Sequence, residues 1–454
     1  MKRRDFLCNA AAGVVAAACS GSVAAEQPPA RPNILLYVTD DHGTNDAGCY
    51  GNPLIRTPGL DLLAEEGTRF TYGFCTCSTC SPSRAVLLTG MYNHANGQYG
   101  LAHGRHHFAS FAGVQSLPVM LADGGYRTAS VGKYHVAPEA AYHFAEYLPG
   151  GSPEQMADNC REFIQAGGNA PFFLYFCTSE PHRPFRREGS VPVDPKDVIV
   201  PPYLPDTPEC RDELAQYYGS VERADKGLLR LIAILRETGH WEDTVIVYVS
   251  DNGIAFPGAK TTLYEPGIHL PCVVRDPAQA QQGGVCNAMI NWADITPTLL
   301  DFAGVKPEKP QYQGRSFRAA LGQEHPEGWD ATYASHTTHE VTMYYPMRVV
   351  RTRRYKLIWN LAHTLEYPFA SDLWKSSTWQ GVLERGDTQY GPRTVEAFLH
   401  RPRFELYDLE SDPLESKNLA DNPQYAAVLA ELKGKLKAFQ ERTKDPWILK
   451  WDRE

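Results

Sequence analysis

The sequence has no excess of basic residues. Lysine and arginine number 44 against 53 aspartates and glutamates, a formal net charge of −9. A chain that grips nucleic acid normally carries the opposite balance, so that class is set aside. Beyond the N-terminus no stretch approaches the ~18 consecutive apolar residues of a membrane-spanning helix. Internal repeats and low-complexity tracts are also lacking. Cys75, Cys77 and Cys80 cluster, but no second Cys/His cluster follows at finger-like spacing, which argues against structural zinc.

What is present is a chain of 454 residues with 43% hydrophobic content, enough for a full core. That length suggests two or three folding units, or one large α/β domain with an appendage. The opening MKRRDFLCNAAAGVVAAAC pairs two arginines with a short apolar run. It reads as a bacterial export leader of twin-arginine type over residues 1–25, which places the mature protein in the periplasm or at the cell surface. Cleavage after Val23-Ala24-Ala25 is one expectation, and lipid attachment at Cys19 is the alternative. Two of the eleven cysteines fall in this leader. The odd remainder leaves one without an intramolecular partner, and any pairing is open.

Further along, apolar β-branched runs alternate with helical spacing. RPNILLYVTDD (31–41), RTASVGKYH (127–135), PFFLYFCTSEPH (171–182), TVIVYVSDNG (244–253) and LPCVVRD (270–276) read as strands. Residues 57–70, 117–123, 211–238 and 294–303 read as helices. This alternation predicts an α/β fold, a mostly parallel sheet with helices on both faces, over 26–330. Near 330 the texture changes. MRVVRTRRYKLIWN reads as a hairpin, ELYDLESDPLESKNL as strand then turn, and 423–442 as a closing helix. A smaller C-terminal α+β domain with an antiparallel sheet is expected over 331–454.

Sites in open α/β sheets form beyond the carboxyl ends of the strands. Four predicted strands end in polar groups: Asp40-Asp41, Lys133-Tyr134-His135, Glu180-Pro181-His182 and Asp251-Asn252. An aspartate after a strand often only caps the next turn. A doublet at one strand end with Asp-Asn at another favours a metal site. Asp40, Asp41, Asp251 and Asn252 are hard oxygen ligands, suited to calcium or magnesium rather than zinc.

The stretch CSPSRAVLLTG (80–90) then gains a meaning. It resembles the signature of the type I sulfatases, in which the cysteine before x-Pro-Ser-Arg is oxidised to formylglycine. VTDDHG, GKYH, EPHRPF, SDNG and the basic Lys260 resemble the rest of that family's site, in order, over nearly the whole chain after the leader. The resemblance implies an alkaline-phosphatase-like fold, a calcium ion with magnesium as the alternative, and Cys80 as a metal-bound, modified nucleophile. The aldehyde's hydrate would carry two hydroxyls, one to attack sulfur and one to expel sulfate afterwards, an exit that serine lacks. It implies that Arg84 holds the hydrate and the cation ligands, and that Lys133 and Lys260 bind sulfate. Asp251 would take the proton of the attacking hydroxyl, His135 that of the second hydroxyl, and His182 would contact the sulfate and protonate the leaving atom. Ser83 and Thr89 read as structural. A formylglycine-generating maturation enzyme and a homodimer are implied as partners.

YGLAHGRHHFASF (99–111), SDNGIAFPGAKTTLYEPG (250–267), THEVTMYYPMRVV (338–350) and ERTKDPWIL (441–449) resemble one branch, the heparan N-sulfatases. The resemblance implies hydrolysis of the sulfamate on a terminal glucosamine, with His339 and Glu340 as sugar contacts and His106 and His107 near the mouth. The net negative charge would repel a long sulfated chain. A recessed pocket with Arg84, Lys133, Lys260 and Arg183 would offset this locally and favour chain ends or short oligosaccharides. The rival readings are an O-sulfatase such as one for glucosamine 6-O-sulfate, a phosphate or phosphonate monoesterase, and a non-catalytic binder of sulfated sugar with Cys80 unmodified.

Overall fold

The apolar runs of the sequence become eight strands of one sheet in the computed structural model, which describes residues 31–453 apart from 167, 169, 280 and 281. The predicted leader, 1–25, and Cys19 lie outside the described residues. The strands are β1 (Asn33–Thr39), β2 (Thr68–Phe74), β3 (Arg127–Gly132), β4 (Glu146–Leu148), β5 (Phe172–Cys177), β6 (Thr244–Ser250), β7 (His269–Arg275) and β8 (Gly284–Asn291). Their order is β4-β3-β5-β1-β6-β7-β2-β8. Only β7 runs against its neighbours, β6 and β2.

β1 lies at the centre and is buried along its whole length. Its side chains alternate between two cores, as the pleat requires. Ile34, Leu36 and Val38 join Val86, Leu87 and Leu299 on one side. Leu35 and Tyr37 join Leu60, Leu63, Leu228 and Leu231 on the other. Helices therefore cover both faces: Cys80–Thr89 and Ile295–Ala303 on one, Pro58–Glu66 and part of Pro208–Glu237 on the other.

The helical reading of 57–70 runs too far. The helix stops at Glu66, and Thr68-Arg69-Phe70 already belong to β2. Gly67 stands in extended backbone between them, and β-branched and aromatic residues take over.

The C-terminal region adds β9 (Ala331–Thr338), β10 (Tyr344–Thr352), β11 (Tyr355–Asn360), a short ribbon of β12 (Gln389–Tyr390) with β13 (Arg393–Thr394), and β14 (Phe404–Asp408). β14-β11-β10-β9 form a four-stranded antiparallel sheet, with β10 and β11 pairing as the expected hairpin. The helix Ala426–Thr443 closes it, its Phe439 stacked on Tyr333 with ring centroids 4.2 Å apart. Pro32–Glu454 form one compact unit holding both sheets. Two backbone bonds join them near the site: Ser335 N donates to Thr76 O (2.8 Å) and Leu101 N to His339 O (3.0 Å). Among the described residues no helix is long and apolar enough to cross a membrane. All nine cysteines there are free thiols.

Candidate active site

The four strands with polar ends, β3, β5, β1 and β6, are consecutive neighbours in the sheet. Their ladder continues into the loops. Lys133 N donates to Cys177 O, Asp40 N to Glu180 O, and Asp251 N to Thr39 O, at 2.9, 3.1 and 3.0 Å. The polar ends thus meet in one place.

Asp40, Asp41 and Asp251 are all buried, with one oxygen from each lying within 4.8 Å of the others. Asp41 holds a left-handed backbone, φ 68°, rare for a residue with a side chain. Its N–H donates to Asp251 Oδ1 at 3.1 Å, which turns its carboxylate toward the group. Burial, reinforced by mutual repulsion, pushes Asp41 and Asp251 up to about 6, against the pull of Lys260 and Arg84 respectively. Burial works against Asp40 too, but Lys133, with His182 and Arg84, outweighs it and holds that carboxyl well below the usual range. Asn252 donates through Nδ2 to Asp41 Oδ1 (2.6 Å), while its own amide oxygen is buried with no hydrogen-bond partner. Three crowded carboxylates and an orphaned amide oxygen are a donor set that fits a hard divalent cation.

Cys80 opens the helix Cys80–Thr89 beside this cluster. Unpaired N–H groups and the helix dipole favour anions at such a terminus. Its Sγ lies 3.6 Å from Asp40 Oδ1. Burial pushes the thiol well above its ordinary pKa even though Lys133 and Lys260 oppose it. An unaltered cysteine here is protonated, and a protonated thiol is a poor nucleophile. Arg84 is fully buried one turn on. Its Nε donates to Asp251 Oδ2 (2.8 Å) and its Nη1 to Lys133 O (2.9 Å), while Nη2 has no hydrogen-bond partner. Ser83 Oγ donates to Asp251 O (2.5 Å) and Thr89 Oγ1 to Ala85 O (2.7 Å), so both bind backbone.

A cavity of about 500 Å³ lies over Cys80, walled by Asp40, Lys133, His135, His182, His339 and Asp372 among others. Lys133 Nζ is 2.5 Å from Asp40 Oδ2. Lys260 Nζ, fully buried, bridges Asp41 (2.9 Å) and Asp372 (3.0 Å). His182 Nδ1 is held by the carbonyl of Arg183, which fixes the tautomer and leaves Nε2 free. That Nε2 lies 3.8 Å from both Asp41 and Asp372. Burial, helped by Lys260, pushes His182 down to about 4. An anion brought beside Nε2 works the other way. His135 contacts His103 through Nε2, and burial with Lys133 and Arg84 drives it well below its ordinary pKa.

His339 and Glu340 both line the cavity. His339 is almost wholly buried, with its Nδ1 2.9 Å from Thr79 Oγ1. Glu340 accepts from Ser371 N (2.9 Å) and Ser371 Oγ (2.5 Å). His106 lines the cavity, whereas exposed His107 is not among its walls. Arg183 corrects the expectation of a pocket cation. Its guanidinium is taken by Glu213 at 2.5 and 2.9 Å and lies over the Phe185 and Phe256 rings. Asp372 and His103 are site residues that sequence reasoning missed. Asp372 stands on the four-residue helix Ser371–Trp374, too short to show a periodicity, and only folding brings it to Lys260. His103, in the HGRHH run, had a signal in its proximity to His106.

A family model described as Sulfatase matches residues 32–305, and one described as N-sulphoglucosamine sulphohydrolase, C-terminal, matches 258–374. The chain is 38% identical to the N-sulphoglucosamine sulphohydrolase of Homo sapiens over 466 residues, 92% of each chain. Among solved structures, a Bacteroides fragilis protein described as a sulfatase candidate superposes with a TM-score of 0.75 at 21% identity, covering 94% of this chain and 99% of that one. A phosphonate monoester hydrolase of Agrobacterium radiobacter superposes at 0.69 and 21% identity, covering 91% and 96%. Likeness at that identity speaks for the fold and not for the substrate. Family match, 38% identity and strand-end geometry agree: the chain belongs to the sulfatase family.

Proposed function

We propose that the protein hydrolyses the N-sulfate of a terminal glucosamine in heparin- or heparan-type oligosaccharides, releasing sulfate and a free amine. The observation that carries this reading is the cavity over Cys80, where Lys133 and His182 converge on one helix N-terminus and Lys260 stands buried behind the wall, paired to Asp41 and Asp372. The 38% identity to a sulphohydrolase of N-sulphoglucosamine supports the choice of substrate.

Cys80, converted by a maturation enzyme to formylglycine, supplies as its hydrate both the attacking hydroxyl and, through collapse to the aldehyde, the exit of sulfate. Asp40, Asp41, Asp251 and Asn252, with residue 80, would hold a calcium or magnesium ion, which lowers hydroxyl basicity and neutralises sulfate oxygen. Lys133 and Lys260 bind the sulfate oxygens and stabilise charge on the transferring group. Asp251 takes the proton of the attacking hydroxyl, with Arg84 holding its carboxylate in place. His135 removes the second proton. His182, protonated at Nε2 once the anionic sulfate stands beside it, contacts the sulfate there and gives that proton to the departing nitrogen, which cannot leave as an amide anion. Glu340 and His339 face the sugar.

The test is co-expression with a formylglycine-generating enzyme and separate assays on glucosamine N-sulfate and glucosamine 6-O-sulfate. Sulfate and primary amine are followed together, with Cys80→Ala as control. Sulfate with amine from the N-sulfate alone is the expected result. Sulfate from the 6-O-sulfate alone would replace the reading with an O-sulfatase. Silence on both with an aldehyde at residue 80 by peptide mass would discard both substrates.

A further inference from the structure

The hollow beside the catalytic cavity has no part in the chemistry above. It measures about 430 Å³ and is walled by Glu366, Tyr367, Phe369, Ser371, Trp374 and Lys375, with Pro368. Ser371 walls the catalytic cavity as well, so the two spaces adjoin. The helix Ser371–Trp374 runs along the junction. Asp372 faces Lys260 and His182 from it, and two residues on, Trp374 lines the hollow.

Trp374 is 47% exposed, unusual for the largest apolar side chain. Its ring is not loose. Phe369 packs against it at 5.6 Å between centroids, and Phe369 in turn lies on Trp379 and Phe398. Lys375 beside it makes no ion pair among the described residues. A rigid aromatic face, a free ammonium and the Glu366 carboxylate are what a charged sugar needs: a platform for its apolar C–H face, a partner for its anion and an acceptor for its hydroxyls.

The direction fits. The sulfate end of the catalytic cavity is fixed by Lys133 and Cys80. A leaving group protonated by His182 departs on the side where Asp372 stands 3.8 Å from His182 Nε2. The hollow lies farther along that segment. Resting on the saccharide reading above, we infer that it binds the second sugar of the substrate, stacked on Trp374, with that sugar's carboxylate or sulfate paired to Lys375.

The experiment measures binding by calorimetry in the Cys80→Ala protein, which needs neither maturation nor turnover. The ligands are glucosamine N-sulfate and three disaccharides ending in it, whose second sugar is a uronate, an O-sulfated hexose or a neutral hexose. The acidic disaccharides should bind about tenfold more tightly than the monosaccharide, and adding Trp374→Ala should remove that advantage. Adding Lys375→Met should bring the acidic disaccharides down to the neutral one. The uronate or the sulfated arm that responds more identifies the anion. Equal affinity for monosaccharide and disaccharides, or a Trp374→Ala loss that falls equally on both, overturns the assignment. Turnover of glucosamine N-sulfate by the matured enzyme reads the functional proposal separately.

Discussion

The carboxylate of Asp372 lies 3.0 Å from the ammonium of Lys260, 112 residues earlier in the chain. Lys260 is fully buried, so its position is set by two partners, Asp41 in the carboxylate cluster and Asp372 in the cavity wall. Asp372→Asn removes one of the two attractions and lets the ammonium drift toward Asp41. A loss of roughly 10-fold to 100-fold in kcat/KM is expected, smaller than the ~10²–10³ of deleting an electrostatic donor outright. Steady-state kinetics on the N-sulfated sugar check it. A fall carried by kcat identifies Lys260 with the transition state, whereas a rise in KM alone would assign it to ground-state binding.

Lys260→Met is the harsher change. It deletes the cation and leaves Asp41 and Asp372 without it. A loss of about 10³-fold or more in kcat is expected. Circular dichroism must show an unaltered fold for the number to count.

Removal of divalent metal should abolish turnover and lower the thermal midpoint together. Without a cation, three buried carboxylates repel one another, and only the folded chain gathers them. Calcium at about 100 times its dissociation constant adds ~2.7 kcal/mol to the folded state. Scanning calorimetry of chelated protein across a calcium series checks this, and a midpoint indifferent to calcium and magnesium would remove the metal from the site.

Arg183→Ala separates two readings of one guanidinium. A sulfate-binding arginine would raise KM. The pair with Glu213, which also accepts from Thr378 Oγ1 at 2.6 Å, makes it a structural clamp instead. The expected outcome is a loss of about 3 kcal/mol in stability, the cost of stranding a buried charge, with KM changed little. Denaturant titration and kinetics on the same sample decide.

Arg348 and Asp445 form a buried bidentate pair, 2.6 and 3.0 Å, between β10 and the turn after the last long helix. Burial pushes Asp445 up, but Arg348 outweighs it and holds the carboxyl well below its ordinary range. A depressed carboxyl stabilises the fold above its unfolded pKa of about 3.9 and loses that contribution as pH falls through the lower folded value. The stability gap between the wild type and Asp445→Asn should therefore be full at neutral pH and shrink below about pH 4. A gap independent of pH would mean that the pair contributes shape and not charge.

The strand ends were legible because each carries polar residues directly after an apolar run, and parallel topology alone gathers such ends. The motif at Cys80 was legible for a different reason, its fixed local spacing. Asp372 was not legible. It stands on a four-residue helix with no periodicity, and its partner is 112 residues away. β8 went unread because GVCNAMIN mixes small and polar residues with the apolar ones. Arg183 misled because charge shows in a sequence but its consumption by Glu213, thirty residues on, does not.

Cys80 is 1% exposed at the first turn of a buried helix, and it meets the cavity above it with little more than its sulfur. On the proposed reading an enzyme alters this residue, and in the finished fold the whole helix Cys80–Thr89 around it is buried. That reading places the chemistry at residue 80 during biosynthesis, in the interval between synthesis of the segment and burial of the helix. The proportion of competent molecules becomes a property of each batch's history. Slower folding at low temperature should raise it, and no later treatment of the native protein should.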